Sequence, residues 1–127
     1  MNRRQALPTA LAALFVSNAL GQELPAEIAG RWSGTGSNGR PITQTFTLQK
    51  MEAAPGGFKG VLTWWTSVPK CKIEDEPLTG TYAGGVLAFD AKTKCDVAFR
   101  VELSRRDSGW EGKATVVNGP VLDVSAK

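Results

Sequence analysis

From residue 28 onward, apolar and polar side chains alternate with period two almost without a break. That is the period of a strand, whose successive side chains leave opposite faces of the pleated chain. Eight segments carry the pattern. In the first, Ile28, Gly30, Trp32 and Gly34 share a face, with Arg31 and Ser33 opposite. "PITQTFTLQK" sets Ile42, Gln44, Phe46 and Leu48 against three threonines. "GFKGVLTWW" groups Phe58, Gly60, Leu62 and Trp64, and "PLTGTY" groups Leu78, Gly80 and Tyr82. "GVLAFD" offers Leu87 and Phe89, and "CDVAFRVEL" turns Val97, Phe99, Val101 and Leu103 inward. "WEGKATV" sets Trp110, Gly112, Ala114 and Val116 against Glu111, Lys113 and Thr115. "VLDVS" ends the series with Leu122 and Val124, leaving Asp123 on the outward side.

Turn residues separate the segments: Ser37-Asn38-Gly39, Pro55-Gly56-Gly57, Gly84-Gly85, Asp107-Ser108-Gly109 and Asn118-Gly119-Pro120. Short strands with one apolar face, joined by short turns, predict an all-β fold. The expected architecture is a small antiparallel up-and-down eight-stranded barrel, because closure removes the exposed edges of an open sheet. An open sandwich is the alternative. A barrel of eight strands is filled by its side chains or holds one small ligand. The inward face mixes Trp32, Trp64 and Trp110 with Gly34, Gly60, Gly80 and Gly112. Either each indole fills the space beside a glycine, or the two together line a cavity.

The first 21 residues break the pattern. Arg3 and Arg4 precede a short apolar run from Ala6 to Val16, and Ala19-Leu20-Gly21 supplies small residues at a cleavage site. This layout predicts a secretory signal peptide over residues 1–21, cut before Gln22, and one domain over 22–127. A secreted or periplasmic location follows, by the general secretory route or, given Arg3-Arg4, by twin-arginine export. The whole chain carries 15 Lys and Arg against 12 Asp and Glu. Two of the cations fall in the leader, so the exported domain is nearly neutral, and no basic stripe suggests nucleic acid. Two cysteines in an exported chain predict a disulfide between Cys71 and Cys95, with two free thiols as the alternative. The absence of histidine removes the commonest general base and the commonest metal ligand together. Glu74-Asp75-Glu76 reads as a solvated acidic cluster rather than a Ca²⁺ site, which would need six to eight converging oxygens.

Several stretches resemble the avidin and streptavidin family. "GRWSGTGS" (residues 30–37) is similar to its first strand and loop, "GGFKG" to the opening of its third, and "PLTGTY" (residues 77–82) to its fourth. "GWEGKATVVNG" (residues 109–119) is similar to the family's Trp-Ser/Thr-Gly strand and following turn. Some bacterial members carry a cysteine six residues before Pro-Leu-Thr-Gly, bonded to a later loop, and Cys71 occupies that place. The resemblance implies a non-enzymatic barrel whose interior binds biotin or a related small molecule. Ser37 matches the family's pocket serine, the pocket tyrosine falls at Leu62, and the pocket asparagine falls near Gly34. Ser37, Trp64, Tyr82 and Trp110 are the expected ligand-lining residues. No catalytic residue, metal, cofactor or membrane association after export is expected. If Trp64 points in, Trp65 points out, and the resemblance implies a homodimer through the outer face near Trp65. The alternative function is a periplasmic interaction or protease-inhibitor barrel, with loops or the segment "QELPAEI" docking into a partner. Some bacterial metalloprotease inhibitors are similar in plan.

Overall fold

In a computed structural model, residues 24–36 and 38–127 are described. The expected leader over residues 1–21 and the candidate ligand residue Ser37 lie outside them. Eight strands follow in order: β1 (Ile28–Thr35), β2 (Pro41–Ala54), β3 (Gly57–Trp64), β4 (Ile73–Ala83), β5 (Val86–Lys92), β6 (Ala98–Arg106), β7 (Gly109–Val116) and β8 (Val121–Ala126). Each pairs antiparallel with the next, and β8 returns to β1, pairing Val124 with Trp32 and Ala126 with Gly30. The result is a closed up-and-down barrel, the expected architecture. The open sandwich is excluded by the β1–β8 ladder. Among the described residues, the one helical piece is a single 3-10 turn at Pro69–Cys71.

The turns explain why neighbours pair so tightly. Gly84 and Gly85 both have positive φ (60° and 77°), the conformation of a two-residue type I′ hairpin between Ala83 and Val86. Two longer strands bend by bulging. β2 fits two residues, Lys50 and Met51, against Gly60 of β3, with Lys50 at φ 53°, and β4 fits Glu74 and Asp75 against Thr63, with Asp75 at φ 49°. The first bulge shifts the parity of β2, so that Met51 rather than Lys50 continues the buried series after Leu48. At the second, the Asp75 N–H donates to the Thr63 hydroxyl at 3.1 Å. Glu74 pairs with Lys72 at 3.6 Å, so the three acids are spread along the start of a strand rather than gathered in a loop.

The interior is a continuous apolar core, and the strand faces expected to turn inward build it. Ile28, Leu48, Leu62, Leu87, Val101, Leu103 and Ala114 are wholly shielded from solvent, with Phe46, Phe58 and Phe89 nearly so. Val97 departs from expectation. β6 begins at Ala98, and Val97 stands ahead of it in the β5–β6 loop, exposed at one end of the barrel. Its N–H and C=O are occupied by Thr93, so it belongs to a local turn and not to the ladder.

The inward glycines do not leave a void. A Cβ on Gly80 would meet the Phe58 ring at 2.6 Å, and one on Gly34 would meet a Leu122 methyl at 2.4 Å. At Gly112 the obstacle is backbone: a Cβ would lie 1.8 Å from the Glu102 carbonyl oxygen. Side chains of the neighbouring strands, Phe58 of β3 and Leu122 of β8, occupy two of these places, and close backbone approach fills the third. The filled interior, rather than a deep cavity, is the observed outcome. On the outer face the register carries ion pairs between neighbouring strands. Arg100 of β6 meets Asp90 of β5 at 3.2 Å, and Lys113 of β7 meets Asp123 of β8.

Candidate functional site

The barrel has two unlike ends. At one lie the tight turns β2–β3, β4–β5 and β6–β7, together with the start of β1 and the end of β8. The other carries the longer connections β1–β2, β3–β4, β5–β6 and β7–β8. Closure at the first end comes from Trp110, whose ring centroid is 6.0 Å from that of Tyr82, with the Arg105 guanidinium 5.1 Å above the indole. The segment before β1 also packs there. Leu24 is partly buried against the core, and the Ala26 carbonyl accepts the Met51 N–H at 3.0 Å. The described part of "QELPAEI" is thus tied to the barrel rather than extended from it.

At the other end the strands open into an apolar cup of about 310 Å³. Its floor is aromatic. Trp64, at the end of β3, is 2% exposed and stacks on Trp32 of β1, with centroids 5.9 Å apart and planes 2° from parallel. Phe99 of β6 lies 4.7 Å from Trp64, and Phe46 of β2 lies 5.1 Å from it on the core side. Ile42, Val116 and Leu122 form the walls from β2, β7 and β8. The Trp32 indole N–H donates to the Trp65 carbonyl at 2.9 Å, so the buried polar atom is satisfied and the ring is held against the β3–β4 loop. Hydroxyls of Thr35, Thr66, Ser67 and Thr93 are the polar groups near the rim.

Two loops of this end are locked together. Cys71 and Cys95 form a disulfide, with Cα atoms 5.0 Å apart. It joins the β3–β4 loop to the β5–β6 loop, and Cys71 itself lines the cup. The Lys94 N–H donates to the Cys71 carbonyl at 3.3 Å, a second tie between the same loops. Buried Thr93 organises the shorter loop, its hydroxyl accepting the N–H groups of Cys95 (3.2 Å) and Val97 (3.1 Å). The position of Cys71 six residues ahead of Pro-Leu-Thr-Gly therefore fixes the wall of the cup.

Around the cup, apolar side chains face solvent. Of the large hydrophobic residues that are exposed among the described residues, Trp65, Val68, Val97, Val117 and Val121 all lie at this end, between 39% and 63% exposed. Val86, beside the β4–β5 turn, is the exception. Trp65 points outward as expected from its neighbour, and the Lys72 ammonium sits 4.9 Å above its ring.

The expected ligand residues do not form one cluster. Trp64 lies in the floor of the cup, whereas Tyr82 and Trp110 meet at the far end of the barrel, with the packed core between. Trp110 instead borders a surface hollow there with Pro25, Arg105 and Lys127. Leu62, the position matching the family's pocket tyrosine, is fully buried in the core. The sequence reading missed Trp32, Ile42, Phe99 and Leu122 as lining residues. A signal was present. In a meander, odd strands run towards the open end, so residues late in β1, β3 and β7 or early in β2, β6 and β8 collect there. Trp110, early in an odd strand, and Tyr82, late in an even one, must sit at the opposite end.

Comparison of the chain with protein-family models, with curated proteins and with solved structures finds no match in any of the three.

Proposed function

We propose that this chain is a non-enzymatic binding protein that takes a small, predominantly apolar group into the open end of its barrel. The observation that carries the reading is the aromatic-floored cup, ringed by exposed apolar side chains. Small-ligand sites are concave, mostly apolar and upwards of about 300 Å³, and the cup is of that order. An exposed ring of apolar side chains on a protein this small also costs solubility, which favours a role in contact. Biotin, the ligand implied by the avidin resemblance, is less well supported than an apolar group. Recognition of its ureido ring needs several hydrogen bonds at depth, and each polar group left unpaired costs about 1–3 kcal/mol. The cup offers hydroxyls at its rim and aromatic rings at its floor.

The exposed ring favours a second reading, an interaction or inhibitor module in which the cup receives an apolar side chain of a protein partner. Tryptophan at such a surface is a frequent anchor, and Trp65 stands beside Val68 on the β3–β4 loop. One titration separates the two. The neutral fluorophore N-phenyl-1-naphthylamine should brighten on binding the exported domain, and Val68→Asp with Val97→Asp should abolish the effect by placing charge on the cup wall. Biotin is titrated in parallel by calorimetry. Wild-type protein that leaves the fluorophore unchanged would overturn small-ligand binding and leave the interaction module.

A further inference from the structure

The cup is not flanked evenly by charge. On the side closed by the disulfide, Lys70, Lys72 and Lys94 line one hollow with a single carboxylate, Glu74. Glu74 is engaged by Lys72 at 3.6 Å, while Lys70 and Lys94 have no carboxylate partner among the described residues. The hollow adjoins the cup through the chain itself: Cys71 lines the cup, and its neighbours Lys70 and Lys72 line the hollow. Lys94 is brought to the same place by the disulfide and by its N–H bond to the Cys71 carbonyl. Opposite, the β7–β8 loop of Val117, Asn118, Gly119 and Pro120 carries no charge.

We infer that the mouth binds a single anionic amphiphile, with its apolar chain in the cup and its anionic head against Lys70 and Lys94. This rests on the proposed binding role and names the ligand class. Three lysines gather at one hollow, whereas the β1–β2 loop adds the single cation Arg40, and so local a cluster fits one head group on one molecule. A flat anionic membrane would be met best by cations spread evenly around the ring, and the β7–β8 loop offers none. Charge here acts mainly through selectivity: like-charged heads are repelled, neutral ones gain nothing, and anionic ones gain a modest, salt-dependent increment.

The test uses the exported full-length domain and displacement of N-phenyl-1-naphthylamine below the micellar range. The probes are decanoate, 1-decanol and decyltrimethylammonium at neutral pH and low salt, and vesicles of phosphatidylcholine with or without phosphatidylglycerol. Decanoate should compete best, by about three- to tenfold over decanol, as expected for two partly solvated ion pairs. K70Q/K94Q should remove that advantage and leave decanol unchanged, with the circular dichroism spectrum and the non-reducing mass confirming a folded, oxidised variant. Decanoate and decanol competing equally, or K70Q/K94Q affecting both alike, would overturn the anionic preference while leaving the apolar cup intact. Binding of anionic vesicles without binding of decanoate would overturn the single-molecule ligand in favour of a membrane surface. Failure of the fluorophore and all three amphiphiles to bind would overturn the binding role itself.

Discussion

Replacing Trp64 with alanine tests both the packed interior and the floor of the cup. The side chain is 2% exposed and touches three other aromatic rings, with centroids 4.7 to 5.9 Å away. Truncating a buried tryptophan or phenylalanine to alanine costs about 3–5 kcal/mol, part of it transfer and part the cavity left behind. Aromatic pairing adds about 0.5–1.5 kcal/mol per pair beyond buried area, which argues for the upper end. The opposing effect is location. Trp64 borders the open cup, so water can enter the space and relieve part of the cavity cost. The two together give about 3–4 kcal/mol, against a total of about 5–15 kcal/mol for a domain of this kind. The variant should therefore fold but be strongly weakened. Urea denaturation followed by far-ultraviolet circular dichroism should move the midpoint down by roughly 2 M, taking m at about 1–3 kcal/mol/M. Trp65→Ala is the matched control. It removes the same side chain from the next residue, which faces solvent, and should cost less than about 1 kcal/mol. A midpoint shift for Trp64→Ala below about 0.5 M, or one equal to that of Trp65→Ala, would refute the packed aromatic floor.

Two further perturbations probe the ends of the barrel. Cys71→Ser with Cys95→Ser should lower stability by about 3–3.5 kcal/mol, the chain-entropy value for a separation of 24 residues; reductant should then shift the urea midpoint of the wild type but not of the variant, and a wild type indifferent to reductant would remove the claim. Tyr82→Phe should be neutral or stabilising, because the buried hydroxyl has no hydrogen-bond partner among the described residues and its desolvation costs about 1–3 kcal/mol. A loss above about 1 kcal/mol in the same denaturation assay would reveal a partner for that hydroxyl.

Alternation by itself determined which faces of the eight strands are apolar, because side-chain direction in a strand is set by the two-residue pleat and needs no distant partner. It therefore marked Phe58, Leu62, Val101 and Leu103 as interior and Trp65 and Asp123 as exterior, as the barrel has them. The turn glycines announced the hairpins for the same local reason: φ is positive at Gly56, Gly84 and Gly85 whatever the rest of the chain does. Closure was a different matter. It depends on β8 reaching back to β1 across the length of the chain, and no local pattern encodes that ladder. The bulges at Lys50 and Asp75 were equally hidden, since an extra residue reveals itself only against its partner strand. Above all, period two reports a side chain's face but not its height along the barrel. Height follows from strand direction and register together, and these carried Trp64 to the open end and Tyr82 with Trp110 to the closed one. The same three-dimensional bookkeeping filled the interior, because the space beside an inward glycine is occupied by residues far away in sequence, Leu122 at Gly34 and Phe58 at Gly80. Only the assembled barrel could leave an apolar cup where the disulfide-tied loops meet, at its mouth.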